Sequence, residues 1–171
     1  MIPDRPDRTE AAEYYFTYID QVGAGDIREI LAAQADEARA LFERISDEAS
    51  TRRYAPGKWT IRQVLSHVND TERLFVFRAL WFARGFDSPL PSFDQDVAIA
   101  AAAADHRPWR SHVDEFRAIR AATVPFFGTM PDEAWTRRGV ASGNPFSVRA
   151  LAYIAAGHVA HHLRLLGERY L

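Results

Sequence analysis

Apolar residues return every three or four positions along most of this chain, and the strict alternation of a half-buried strand is nowhere sustained. The pattern predicts an all-α fold. A short N-terminal helix is expected from about Glu10 to Val22, with Thr9 as its cap and Gly23-Ala24-Gly25 as its stop. A first long helix follows from Asp26 to about Asp47, its stripe formed by Ile27, Ile30, Leu31, Ala38, Leu41, Phe42 and Ile45. Thr60 is placed to cap a second, which carries Ile61, Val64, Val68, Phe75 and Phe82 on one face and stops at Gly85. Beyond Ser88-Pro89-Leu90-Pro91, a short helix near Asp94 to Ala104 leads to a third long helix. That one runs from about Pro108 to Phe127, and Pro125 would bend or end it. A loop from Gly139 to Pro145 precedes the fourth, capped by Ser147 and reaching close to the C-terminus.

Four amphipathic helices of similar length are satisfied by packing around a common core. The expected architecture is a four-helix bundle with a short N-terminal helix and long crossover loops, whose lengths leave the order of the helices open. A chain of 171 residues, 47% of them hydrophobic, can bury one core but not comfortably two, so residues 1–171 read as one domain. The formal charge of −2, with 21 basic and 23 acidic residues well mixed, offers no field to gather phosphate backbones or anionic lipid. Neither nucleic acid nor membrane is expected as a partner. The N-terminal stretch from Met1 to Arg8 lacks an apolar signal core, which makes the cytoplasm the expected compartment. Cysteine is absent, so disulfides and thiolate metal sites are excluded and any thiol chemistry must borrow its sulfur from a second molecule.

The histidines carry the candidate chemistry. At about 100° per residue, His158 and His162 stack on one helical face, in the middle of the stripe made by Leu151, Ile154, Ala155, Leu165 and Leu166. That spacing suits two ligands of one metal ion. His161 falls toward the edge of the stripe. His67 lies beside Val64, Val68 and Phe75, so the second helix can present it to the same core, whereas His106 and His112 sit among polar neighbours and are expected at the surface. Three ordinary hydrogen-bonded core histidines are the competing reading. Against it, three buried imidazoles need partners, and one cation would satisfy a nitrogen on each. A zincin protease is excluded because Val159 stands where its general-base Glu would be, and a di-iron bundle because Glu-x-x-His does not occur on two helices.

The stretch Tyr54-Ala55-Pro56-Gly57-Lys58-Trp59-Thr60-Ile61-Arg62 leading to His67, then Asp70-Thr71-Glu72-Arg73, Phe82-Ala83-Arg84-Gly85, and Ala156-Gly157-His158 with His161-His162-Leu163, resembles the DinB superfamily. The likeness runs from about Ala11 to Leu171. It implies a four-helix bundle, often a homodimer, in which His67, His158 and His162 hold one divalent metal ion with water at the remaining positions. Zinc or nickel is the expected metal, and iron or manganese also suit nitrogen and water ligands. The named activities in that family are mostly small-thiol transfers, by S-transferases or isomerases, and many members have no assigned activity. The resemblance therefore implies an enzyme in which the metal activates an exogenous thiol against an electrophilic substrate.

Two other readings stay open: a hydrolase using metal-bound water, and a non-catalytic metal-binding helical dimer. By the same rotation count Gln34, Thr71, Arg78 and Arg120 also face inward and could line a pocket, an arginine there holding a carboxylate. Equally, Arg78 or Arg120 could pair with Glu72, Asp114 or Glu115 inside the bundle. Glu72 could orient a ligand imidazole. Trp59, Trp81, Trp109 and Trp135 are expected in core or dimer packing.

Overall fold

The computed structural model describes residues 4–171. Met1 to Pro3, the start of the stretch read above for a signal core, lie outside the described residues. Six α-helices and one hairpin follow in order: α1 Phe16–Ile19, α2 Ile27–Phe42, α3 Ile61–Ala83, α4 Gln95–Ala102, α5 Trp109–Gly128, β1 Arg138–Ala141, β2 Asn144–Ser147 and α6 Val148–Arg169. The bundle is built from α2, α3, α5 and α6. Helices α3 and α6 share the most extensive contact, and α2 and α3 each pack against both α5 and α6. Chain neighbours α2 and α3 are thus diagonal across the bundle, as are α5 and α6, and this is why long connections are needed.

Caps set the helix starts. Thr60 accepts from the Gln63 amide while the Gln63 side chain accepts from the Thr60 amide, a reciprocal arrangement that satisfies two otherwise orphaned donors. Asp26, Asp94 and Ser147 cap α2, α4 and α6 in the same spirit. Helix α2 ends at Phe42 rather than near Asp47. The Asp47 carboxylate is used elsewhere, accepting from the Trp109 amide at 2.7 Å and pairing with Arg62 at 2.8 Å. Pro125 does not end α5, which continues to Gly128.

Two further expectations are corrected. The N-terminal helix is broken into turns at Arg8–Glu10 and Glu13–Tyr15 followed by the single turn α1, and the first turn is capped by Asp7, not Thr9. The cause is tertiary: the buried Glu10 carboxylate accepts from Ser147 Oγ at 2.7 Å and from Arg149 Nε at 2.6 Å, which holds the chain against the start of α6. Burial by itself would raise the Glu10 pKa, but the bonds from Arg149 and Ser147 outweigh it and bring it down to about 2. The second correction is the hairpin where a plain loop was expected. Ser142 and Gly143 both have positive φ, 53° and 73°, the backbone of a type I′ turn, whose twist matches that of the paired strands. Leu90 docks on its edge through bonds to Val140 and Ser142, so the connection before α4 is anchored beside the hairpin.

The interior is layered. One buried apolar cluster gathers α1, the hairpin and the adjoining ends of the bundle helices, including Ile27, Leu31, Phe75, Phe127 and Ile154. The other lies toward the opposite end, around Phe42, Val64, Val68, Phe116 and Leu163. Between them each bundle helix contributes buried polar residues: Gln34 from α2, Thr71 and Glu72 from α3, Arg120 and Thr123 from α5, and His158 from α6. A polar belt thus crosses the middle of the bundle.

Helix α6 approaches the N-terminal segment so closely that a Cβ on Gly157 would lie 2.1 Å from the Tyr18 carbonyl oxygen. Helix propensity favours Gly157→Ala by roughly 1 kcal/mol. The clash with backbone reverses the sign, and the variant is expected to lose about 1–3 kcal/mol, read as a lower urea midpoint.

Candidate metal centre

His67 is presented by α3 and His158 and His162 by α6, and the pairing of these two helices brings the three imidazoles together. His67 Nε2 lies 3.1 Å from His158 Nε2, which lies 3.2 Å from His162 Nε2. One nitrogen from each lies within 4.8 Å of the others, and all three residues are buried. The Nε2 spacings fit metal ligation. With metal–nitrogen bonds of about 2.0–2.1 Å, they correspond to ligand–metal–ligand angles of roughly 100°, between octahedral and tetrahedral values.

Hydrogen bonding alone does not account for the cluster. Thr71 Oγ1 donates to the His67 carbonyl at 2.7 Å, so toward His158 Nδ1, 3.3 Å away, it acts as acceptor. His158 therefore carries its proton on Nδ1 and turns a bare Nε2 toward the other two rings. A neutral imidazole nitrogen has one in-plane lone pair, yet two rings approach this one. His162 Nδ1, also buried, has no hydrogen-bond partner among the described residues. A cation set between three bare Nε2 atoms resolves the crowding, and the three residues fit such an ion.

Burial makes all three imidazoles hard to protonate. His67 is pushed down to about 4 by burial alone, and His162 to about 3 by burial reinforced by the neighbouring imidazoles. His158 lies well below its ordinary value for the same two reasons. The neutral state is the one a metal needs.

A cavity of about 210 Å³ opens beside His67 and His158. Thr71, Arg78, Tyr18 and Ser142 also line it, and no aspartate or glutamate does. Tyr18 is held edge-on to both His158 and His161, and its hydroxyl is 2.9 Å from that of Tyr14. Trp59, expected in core or dimer packing, is half-buried with its ring centroid 5.0 Å from that of His67.

The remaining candidates separate. Arg120 and Glu72 are both buried and bonded to each other at 2.8 Å; Arg120 also donates to Gln34 Oε1, and Gln34 donates to the Ala156 carbonyl. Gln34, Glu72 and Arg120 are absent from the lining of the histidine cavity, and Glu72 orients Arg120 rather than an imidazole. His112 is fully buried, not at the surface, with Nε2 donating to the Ala104 carbonyl. His106 is exposed. Sequence reasoning missed Tyr14, Tyr18 and Ser142. The i, i+4 spacing of the two tyrosines was a usable signal, whereas nothing local announces Ser142.

The sequence model of the DinB superfamily matches residues 30–166. No curated protein matches the chain in sequence. Among solved structures, YfiT from Bacillus subtilis, described as "a probable metal-dependent hydrolase with an unusual four-helix bundle topology", aligns with a TM-score of 0.72 at 15% identity, covering 96% of this chain and 90% of that one.

The depressed histidine pKa values fix a pH dependence. Because the unfolded chain takes up protons near 6.5 and the folded chain only well below that, stability of the metal-free protein is fully present above 6.5 and falls as the pH drops toward 4. The slope reaches about 1.4 kcal/mol per pH unit for each histidine involved. Urea denaturation in chelator between pH 7 and 5 should show it, with a shallower slope in His162→Gln.

Proposed function

The chain belongs to the DinB superfamily, and from that membership and the geometry of its three histidines we propose that it is a divalent-metal enzyme using His67, His158 and His162 as ligands. The observation that carries this reading is the convergence of three buried Nε2 atoms at ligand spacing beside a cavity. When bound, the ion supplies Lewis acidity at its remaining positions, lowering the pKa of a thiol or a water there. Zinc and nickel are the metals we favour, since imidazole ligands suit both.

The chain's own residues define the rest. Thr71 fixes the tautomer that leaves His158 Nε2 free. The packed rings of Trp59, Tyr18 and Phe75 around the imidazoles limit water and hold the ligands in place. The cavity presents no carboxylate to act as general base toward water. This supports small-thiol transfer to an electrophile, because a thiol has an ordinary pKa of about 8.5 and needs far less help to ionise. The absence of cysteine makes the thiol a cosubstrate. Hydrolysis is the second reading, favoured by the description of YfiT, whose fold this chain shares.

Elemental analysis of the purified protein should give one divalent ion per chain, and His162→Ala should lose it while retaining helical circular dichroism. Turnover of an electrophile panel should require both an added thiol and the metal, and stop on chelation. Ester or amide cleavage without thiol would replace transfer with hydrolysis, and a metal-loaded protein inert in both assays would leave only a structural role for the ion.

A further inference from the structure

Three arginines are buried in this bundle: Arg62, Arg78 and Arg120. Arg62 pairs with Asp47 at 2.8 Å and Arg120 with Glu72 at 2.8 Å. Arg78, only 2% exposed, has no carboxylate within ion-pair distance among the described residues. Its Nη2 donates to Ser142 Oγ at 2.8 Å and to the Pro91 carbonyl at 3.2 Å, the Tyr15 hydroxyl also interacts with the guanidinium, none of the three is a carboxylate, and Nε has no hydrogen-bond partner among the described residues. Burial consequently pulls its pKa below the usual arginine value. A buried cation with neutral partners is costly, and the commonest arrangement that offsets the cost is an anion.

Arg78 also has a location the other two lack. It lines the cavity that reaches His67 and His158, two turns beyond Thr71 on α3, about 10 Å along the helix axis. Helical side chains lean toward the N-terminus of their helix, which carries the guanidinium back toward Thr71. Four separate segments converge on it: α3 supplies the arginine, the connection before α4 supplies Pro91, the hairpin turn supplies Ser142, and the N-terminal segment supplies Tyr15. With no acidic lining residue, the charge of this cavity is wholly positive.

We propose that Arg78 is the anion subsite of the cavity, binding the carboxylate of a small substrate or cosubstrate whose reacting end faces the histidines. A carboxylate fits better than a phosphate, because one guanidinium and one hydroxyl match a single negative charge. The inference rests on the reading of this cavity as the substrate site, and it deepens that reading by naming a substrate class.

The test compares butyrate with butyramide, which differ in charge at nearly constant shape, by calorimetry on the metal-loaded and the metal-stripped protein. Butyrate should bind wild type roughly tenfold more tightly than the amide. The preference should persist without metal and vanish in Arg78→Met, whose metal content should match wild type. A preference retained in Arg78→Met, or lost on stripping the metal alone, would assign the anion to the metal and overturn the proposal. Should Arg78→Met fail to fold, the Arg78 Nε–H resonance of wild type provides the readout: butyrate should shift it and butyramide should not, and no shift at saturation also overturns the proposal. Metal content is measured separately, so failure at Arg78 is distinguishable from failure of the metal site.

Discussion

Two imidazole nitrogens, on His67 and His162, crowded to 3.1 and 3.2 Å from a third on His158 in a buried interior constrain this bundle more than any other contact. Uncharged and unligated, they compete for the lone pair of His158 Nε2; charged, they repel and must be desolvated. The bundle tolerates them because the surrounding structure dictates their geometry. Thr71 holds the His158 ring by its Nδ1 and Tyr18 of α1 lies edge-on to that same ring, Trp59 from the loop before α3 packs on His67, and Gly157 lets the N-terminal segment close over α6 without a side chain in the way. Stability that a purely apolar core would have supplied is given up at this layer in exchange for three pre-aligned donors.

The polar belt between the two apolar clusters treats its charges in two ways. On one side Glu72, Arg120 and Gln34 bond to one another and to the Ala156 carbonyl, tying α3, α5, α2 and α6 together through a network that ends within two residues of His158. That network is internal and self-neutralising. On the other side His67, His158 and Arg78 face a cavity whose lining, among the described residues, holds no acid to neutralise the guanidinium. The difference separates the part of the belt that fastens the bundle from the part open to a ligand.

Much of the architecture was legible in the sequence because helices are local. The apolar stripes and the caps at Asp26, Thr60, Asp94 and Ser147 each depend on residues within one turn, and the observed helices start where those caps stand. The failures share a cause. The broken N-terminal segment, the early end of α2, the buried His112 and the hairpin are each decided by partners outside the element itself: Glu10 with Arg149, Asp47 with Trp109, His112 with the connection that precedes its helix, and Leu90 with the hairpin edge.

The candidate site divides in the same way. The i, i+4 spacing of His158 and His162 and the inward face of His67 are periodic facts, so the sequence alone could nominate all three. It nominated Gln34, Glu72, Arg78 and Arg120 on equal terms, because helical rotation reports which side chains point inward but not what they meet there. Only the packing of α3 against α6, with α5 beside α3 and the hairpin folded over its end, gave Arg120 a carboxylate and left Arg78 with none among the described residues. Helical phase is set by covalent geometry and repeats every turn, whereas charge pairing across the bundle depends on which helices become neighbours, and crossover connections of this length do not encode that.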